Sequence, residues 1–220
     1  MILFFFAKYN RSHILHIPRI LTKTELKDLP SLRYALKMLH EEYHVPNVVI
    51  SSIPLRQWLV EALPLHIRSS IDSDSLLCLS STSSTNPQQT QDLSVIHAQC
   101  VPPIPGYFSG VGDLFSALLL AHFDPNNAIS SPLRTPVSLA ASQALTKTHA
   151  ILRLTDEYVQ SLPEEERQPT DDEKDTADLL RKTRRMRGRE LRLVQGQDII
   201  RGVGHCVLRQ MEHWATFWEQ

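Results

Sequence analysis

The pattern of apolar and polar positions first resolves into a helix. Over residues 29–43 the apolar side chains Leu32, Ala35, Leu36, Leu39 and Tyr43 recur at three- and four-residue steps, lining one helical face. Asp28 is placed to cap this helix and Pro30 suits its first turn. The pattern then changes at VPNVVISS, where residues 48–50 form a short run apolar on both faces that ends in Ser51 and Ser52. Such a run after a helix predicts a buried parallel strand. A helix followed by a strand with a polar carboxyl end is the α/β pattern, in which ligands collect at strand ends. Two more strands are predicted over residues 76–79 and 94–101, pairing as an antiparallel edge. The polar, aperiodic stretch 80–92 between them reads as a loop or disordered insertion.

Further along, Thr135 and Pro136 mark a helix start, and Val137, Ala140, Ala141, Ala144, Leu145, Ile151 and Leu152 carry a long helix toward Val159. Residues 163–178 then hold eight acidic and two basic side chains, and residues 181–192 hold seven basic side chains in twelve. The basic run reads either as a phosphate or nucleic-acid patch or as a solvated face answering the adjacent acidic run. Opposite blocks side by side, without interleaved aromatics, favour the second. The whole segment 163–189 is expected as loop or disordered insertion, followed by a short strand over 190–194.

Composition narrows the choice of function. The 220 residues suffice for one domain or slightly more, and 42% are hydrophobic. A net charge of -1 gives no broad electrostatic reason to expect nucleic acid or an anionic membrane as partner. Cys78, Cys100 and Cys206 are far apart, with no metal-type spacing, so no metal site is expected; a reduced, cytoplasmic protein is the simplest reading. The N-terminal MILFFFAKYN stops being apolar at Lys8, far short of the roughly 20 residues of a membrane span. It reads either as a buried strand or as sequence outside the domain.

The stretch that carries chemistry is Gly110-Val111-Gly112-Asp113, followed by the apolar LFSALLLA. Glycines let the backbone adopt positive φ and bring its N–H groups close to a ligand. Those groups, with the positive end of the following helix, make an anion site. A carboxylate there would repel phosphate and fits better as a general base for an attacking hydroxyl. The other reading is an aspartate N-cap after a glycine turn.

Three blocks decide between these. GVGDLFSALLLA resembles the signature loop of ribokinase-like kinases, and its continuation is similar to that of pyridoxal kinases. VPNVVISSIPL resembles that family's strand ending in a Thr/Ser-Ser pair, and RELRLVQGQDI its near-C-terminal ELRLVQ segment. The resemblance covers residues 20–203, and Ser51 with the longer stretch before ELRLVQ resembles fungal members. It implies a partial three-layer α/β/α sandwich with a mostly parallel sheet and an antiparallel edge. By position it implies Asp113 as catalytic base, Gly110, Val111 and Gly112 lining the anion hole, and Ser51 and Ser52 near the ATP phosphates. Val101 would border the nucleotide cleft. Phe115 and Leu118 read as helix core. Val111 stands where many members have Thr, which keeps the amide and removes a hydroxyl contact.

The implied activity is ATP-dependent phosphorylation of the 5′-hydroxymethyl of pyridoxal, pyridoxine or pyridoxamine. It brings ATP with Mg²⁺, leaves room for a monovalent cation, and carries the homodimer expected of complete members. A sugar or hydroxymethylpyrimidine kinase fits the ELRLVQ block less well. No Asn or Asp here has Glu three residues on, so the family's Mg²⁺-organising motif is missing. Residues 1–19 resemble nothing in the family, and residues 20–220 read as the C-terminal, ATP-binding part of the kinase domain. The expectation is therefore a truncated chain with little activity alone, or a non-catalytic nucleotide-binding partner.

Overall fold

The computed structural model describes residues 2–6, 24–68, 75–84, 92–106, 108–127, 134–167, 172–203 and 206–219. The chain divides into two units. The first comprises Met1–Pro103, Ala121–Ser142 and Arg209–Gln220, and the second Ile104–Leu120 and Gln143–Leu208.

The first unit is built on strands β1 (Ile2–Phe6), β2 (Asn47–Pro54), β3 (Leu76–Ser83), β4 (Ser94–Val101) and β5 (Glu212–His213), hydrogen-bonded in that order. β1 runs parallel to β2, from Ile2 opposite Asn47 to Phe6 opposite Ser51. The other three neighbouring pairs are antiparallel. The architecture is α/β as expected, and β3 and β4 pair as the sequence indicates. The expectation of a mostly parallel sheet is corrected: among the described strands only β1 and β2 run parallel. The cause lies in what the apolar run reports. A central strand is buried on both faces whichever way its neighbours run, so Val48, Val49 and Ile50 signal burial and leave direction open. Of the two readings of the N-terminus, residues 2–6 take the strand; the remainder of 1–19 lies outside the described residues.

Helix α1 (Leu29–Lys37) starts where the sequence places it. The Ser31 amide donates to Asp28 Oδ1 at 2.8 Å, and the Asp28 amide donates to Ser31 Oγ at 3.1 Å. Leu32, Ala35 and Leu36 are buried on its inner face. A π-helical turn, Met38–Glu42, follows and contains the buried His40. The Val45 carbonyl, 2.6 Å from His40 Nδ1, can only accept, so Nδ1 carries the proton and Nε2 accepts from the Ser81 hydroxyl at 2.6 Å. Ser94 Oγ lies 2.8 Å beyond Ser81 Oγ. Polar groups of α1's extension, β3 and β4 thus satisfy one another inside the core.

Short helices α2 (Gln57–Ala62) and α3 (Leu65–Arg68) bridge β2 to β3. The core of the unit is completed by Trp214 and Phe217, the latter in a 3₁₀ turn at Ala215–Trp218. Arg33 Nε donates to the Phe217 carbonyl at 2.6 Å and Arg33 Nη2 to the Glu219 carbonyl. Trp218 Nε1 donates to the Ser94 carbonyl at 2.8 Å.

In the second unit α4 (Val111–His122) begins, and α5 (Pro136–Ser161) passes into it from the first; α5 matches its predicted span. Helices α6 (Glu164–Arg167), α7 (Asp172–Ala177), α8 (Leu179–Gly188) and α9 (Gln197–Arg201) follow. The segment 163–189, expected as loop, is thus helical over much of its described length. The acidic block supplies the reason. Asp175 is buried against both Arg181 and Arg185, and Asp178 caps α8 at the Leu180 amide, 2.9 Å away, while pairing with Arg184 at 3.3 Å. Desolvation pushes the Asp175 carboxyl up, and the hydrogen bonds and charges of Arg185 and then Arg181 outweigh it, leaving the carboxyl below its usual range. The mutual neutralisation read from the sequence is present, and it orders the helices instead of solvating them. Residues 80–83, also expected as loop, extend β3, while 85–91 fall outside the described residues. Among the described residues no helix is long and apolar enough to cross a membrane.

Phe217→Ala should destabilise the protein by about 3–5 kcal/mol, the usual cost of emptying a buried aromatic site, measured by urea unfolding. Burial pushes His40 below its ordinary value, against the opposing Val45 hydrogen bond and Glu41 charge. The folded state therefore favours the neutral ring. This contribution is complete above pH 6.5 and is lost as pH falls through the lower folded value. The fall in Tm between pH 7.5 and pH 5.5 should shrink in His40→Gln; an unchanged fall would remove His40 from the acid sensitivity.

Candidate functional site

In the second unit, α4 begins at Val111, and the Leu114 amide donates to the Gly110 carbonyl at 3.0 Å. Gly110 thus occupies the N-cap position, at φ +80°, a conformation that only glycine takes freely. The amides of Val111, Gly112 and Asp113 precede that first helical bond and have no acceptor within the helix. They point where an anion would be met, and the helix dipole adds to them. Asp113 is exposed in this first turn, two residues inside the helix. The N-cap reading of Asp113 is therefore displaced, because Gly110 takes that position. Leu114, Phe115, Leu118 and Leu119 are buried, so Phe115 and Leu118 are core as expected.

The ELRLVQ block lies against this loop. Ser109 and Glu190 form an isolated parallel bridge, and a Cβ on Gly110 would stand 4.0 Å from Leu191 Cδ1. The Arg189 guanidinium carbon sits 5.9 Å from the Phe108 ring centre. The predicted strand over 190–194 is reduced to that bridge. The Leu193 amide donates to the Leu191 carbonyl at 2.8 Å and the Gly196 amide to the Arg192 carbonyl at 2.9 Å, which turns the chain into α9. Arg192 is fixed by its amide, 3.1 Å from Thr155 Oγ1, and by its guanidinium, 3.9 Å above the Tyr158 ring. Sequence spacing set the order of the two blocks; the apolar Leu191 and the glycines were the only signals of their contact.

The remaining predicted residues lie in the first unit. Ile50 pairs with Leu79 and Ile53 with Leu77, so Ser51 and Ser52 together oppose the single residue Cys78. This is a β-bulge, and Ser52 sits in it at φ +59°. A β-bulge with a left-handed serine re-aims the chain at the predicted phosphate-facing pair, a feature that the letters SS do not announce. Ser51 is buried and Ser52 half-buried. Val101 is at the end of β4, opposite Leu76. The neighbouring thiols are poor nucleophiles: burial pushes Cys78 up to about 12 and Cys100 up to about 11. Among the described residues, no group of three or more His, Cys, Asp or Glu side chains could hold a metal ion.

Ser52→Gly should stabilise the first unit by about 1 kcal/mol by relieving the left-handed serine, and Ser52→Val should destabilise it by about 1–2 kcal/mol. Equal stabilities in urea unfolding would show that the bulge carries no strain.

No family model matches the chain. A curated relative from Schizosaccharomyces pombe, provisionally named a pyridoxal kinase, is 29% identical over 154 residues, which are 68% of this chain and 43% of the relative. The structure of pyridoxal kinase from Leishmania donovani with ADP and pyridoxamine superposes at TM-score 0.55 with 22% identity, over 89% of this chain and 48% of the enzyme. Pyridoxal kinase from Trypanosoma brucei superposes at 0.52 with 17% identity, over 96% of this chain and 51% of that one. In sequence and in fold the chain is pyridoxal kinase-like, and it spans about half the length of the proteins it matches.

Proposed function

We propose that the chain provides the phosphoryl-handling half of an ATP-dependent kinase acting on the 5′-hydroxymethyl of pyridoxal, pyridoxine or pyridoxamine. The observation that carries this reading is the first turn of α4. Gly110 at φ +80° presents three amides without helical acceptors, and the exposed Asp113 carboxylate stands in the same turn. In phosphoryl transfer, negative charge spreads over the equatorial oxygens of the moving group, and fixed N–H donors meet it at no reorganisation cost. Asp113 takes the proton of the attacking hydroxyl as its oxygen bonds to the γ-phosphorus and the bond to the β-phosphate oxygen breaks, releasing ADP. The Leishmania relative, which holds ADP and pyridoxamine, is consistent with this substrate pair.

Gly110, Val111 and Gly112 line the anion hole in this reading. Ser51 and Ser52 serve the nucleotide phosphates and Val101 its cleft, and the bulge at Ser51 and Ser52 supports their assignment. Mg²⁺ enters as the counter-ion of ATP; the described residues offer no cluster to hold it, and no step above passes through it. A cytoplasmic setting accords with these substrates.

A second reading, a nucleotide-binding partner without turnover, is favoured by one observation: no Asn or Asp in the chain has Glu three residues on. One experiment separates the two. The chain is given ATP, Mg²⁺ and pyridoxal, and pyridoxal 5′-phosphate is quantified by fluorescence chromatography alongside binding of a fluorescent ADP analogue. We expect nucleotide binding together with slow product formation. Asp113→Asn should lower that rate about a hundredfold or more while binding persists, the usual scale of a lost general base. Binding without product selects the second reading. An Asp113→Asn variant as fast as the parent removes Asp113 from the chemistry.

A further inference from the structure

The loop that leads into α4 rests on Arg189, the first residue of the RELRLVQGQDI block, to which no role has so far been given. Gly106 has φ +108°, and a Cβ placed on it would fall 1.6 Å from Arg189 Nη1 and 2.8 Å from Arg189 Cζ. The guanidinium therefore occupies the space that a side chain at position 106 would need. Its Cζ also lies 5.9 Å from the centre of the Phe108 ring. The residue after it, Glu190, forms the bridge to Ser109, and Leu191 faces Gly110. Four contacts, at Gly106, Phe108, Ser109 and Gly110, thus come from residues 189–191 and end at the start of α4.

This arrangement does little for stability. Arg189 Nε is buried without a hydrogen-bond partner. Desolvation and then the neighbouring Arg185 charge push Arg189 below its ordinary value, with Asp156 opposing. A half-buried cation with an unsatisfied N–H beside a second arginine is a poor choice for holding the unit together. Its geometry suits another purpose, because a planar guanidinium filling the space beside a glycine and packing on an aromatic ring fixes a backbone more narrowly than an aliphatic side chain does.

We infer that Arg189, packed beside Gly106 and on Phe108, is the positioning residue of the loop that carries Gly110, Val111, Gly112 and Asp113. This rests on the phosphoryl-transfer reading above for its consequence, and on the geometry alone for the positioning itself. Arg189 acts through the loop and takes no part in the chemical step.

The test uses Arg189→Met, which keeps the stem, Arg189→Lys, which keeps the charge, and Arg184→Met, which removes an exposed arginine on the preceding helix α8. Hydrogen exchange of the backbone amides over residues 108–114 reads the positioning without any ligand. Arg189→Met and Arg189→Lys should both speed that exchange about tenfold, with Tm unchanged or raised, and Arg184→Met should leave it as in the parent. A second measurement compares binding of Mg·ADP with that of Mg·ADP plus aluminium fluoride, a mimic of the transferring phosphoryl group. The parent should bind the mimic more tightly, and Arg189→Met should lose about tenfold of that advantage with ADP affinity held within about twofold. Unchanged exchange in Arg189→Met overturns the inference. Faster exchange in a chain whose parent shows no preference for the mimic keeps the positioning and overturns the phosphoryl-transfer reading instead.

Discussion

A helix must begin with amides that its own geometry cannot satisfy, and the candidate chemistry of this protein depends on leaving them open. A side-chain cap at the start of α4 would close one of them. Gly110 has no side chain to offer, and its left-handed backbone directs the chain away from the helix axis. The Asp113 carboxylate, which could have served as a cap, stands instead at the third helical position, exposed. Everything nearby serves to maintain this arrangement: the buried face of Leu114, Phe115, Leu118 and Leu119 fixes the helix, and residues 189–191 support the loop. The helix start is thus a glycine turn without a side chain of its own to offer, held by packing.

The sequence was most readable where a local rule acts alone. Asp28 followed by Pro30 fixed the start of α1, Thr135 and Pro136 that of α5, and β4 has the extent predicted for it. The turn at Gly110 and the apolar helix after it were legible because both lie in one short stretch. Strand direction was not legible, since Val48, Val49 and Ile50 are buried by neighbours on both sides whichever way those neighbours run. The bulge at Ser51 and Ser52 was equally hidden. It arises from a mismatch of one residue between β2 and β3, a property of the pair that neither strand shows alone.

The charged region shows a different limit. Composition there argues for solvated chain, since few apolar side chains are available to offset ordering entropy. Asp175 alters the balance by binding two arginines at once, Arg181 and Arg185, which are one helical turn apart on α8. Three charges that would each be costly to bury alone are satisfied together, and Leu179 and Leu180 remain outside, largely exposed. A residue count registers eight acids beside seven bases; what orders the segment is the spacing of two of those bases around one of those acids.

The anchoring of residues 214–218 has a consequence for how the protein is made. Trp218 bonds to the backbone at Ser94, 124 positions earlier, and Phe217 to Arg33, 184 positions earlier. The first unit is therefore discontinuous in the chain, with the second unit's residues 143–208 emerging from the ribosome before its core can close. During synthesis β2, β3 and β4 are available long before Trp214 and Phe217 arrive to cover them. Residues 143–208 therefore separate the synthesis of β2, β3 and β4 from that of Trp214 and Phe217. The helical residues of the second unit, drawn from one continuous stretch apart from 104–120, face no such delay. Vectorial synthesis thus delivers the strands of the sheet before the last side chains of their core, an interval in which exposed apolar surface invites aggregation.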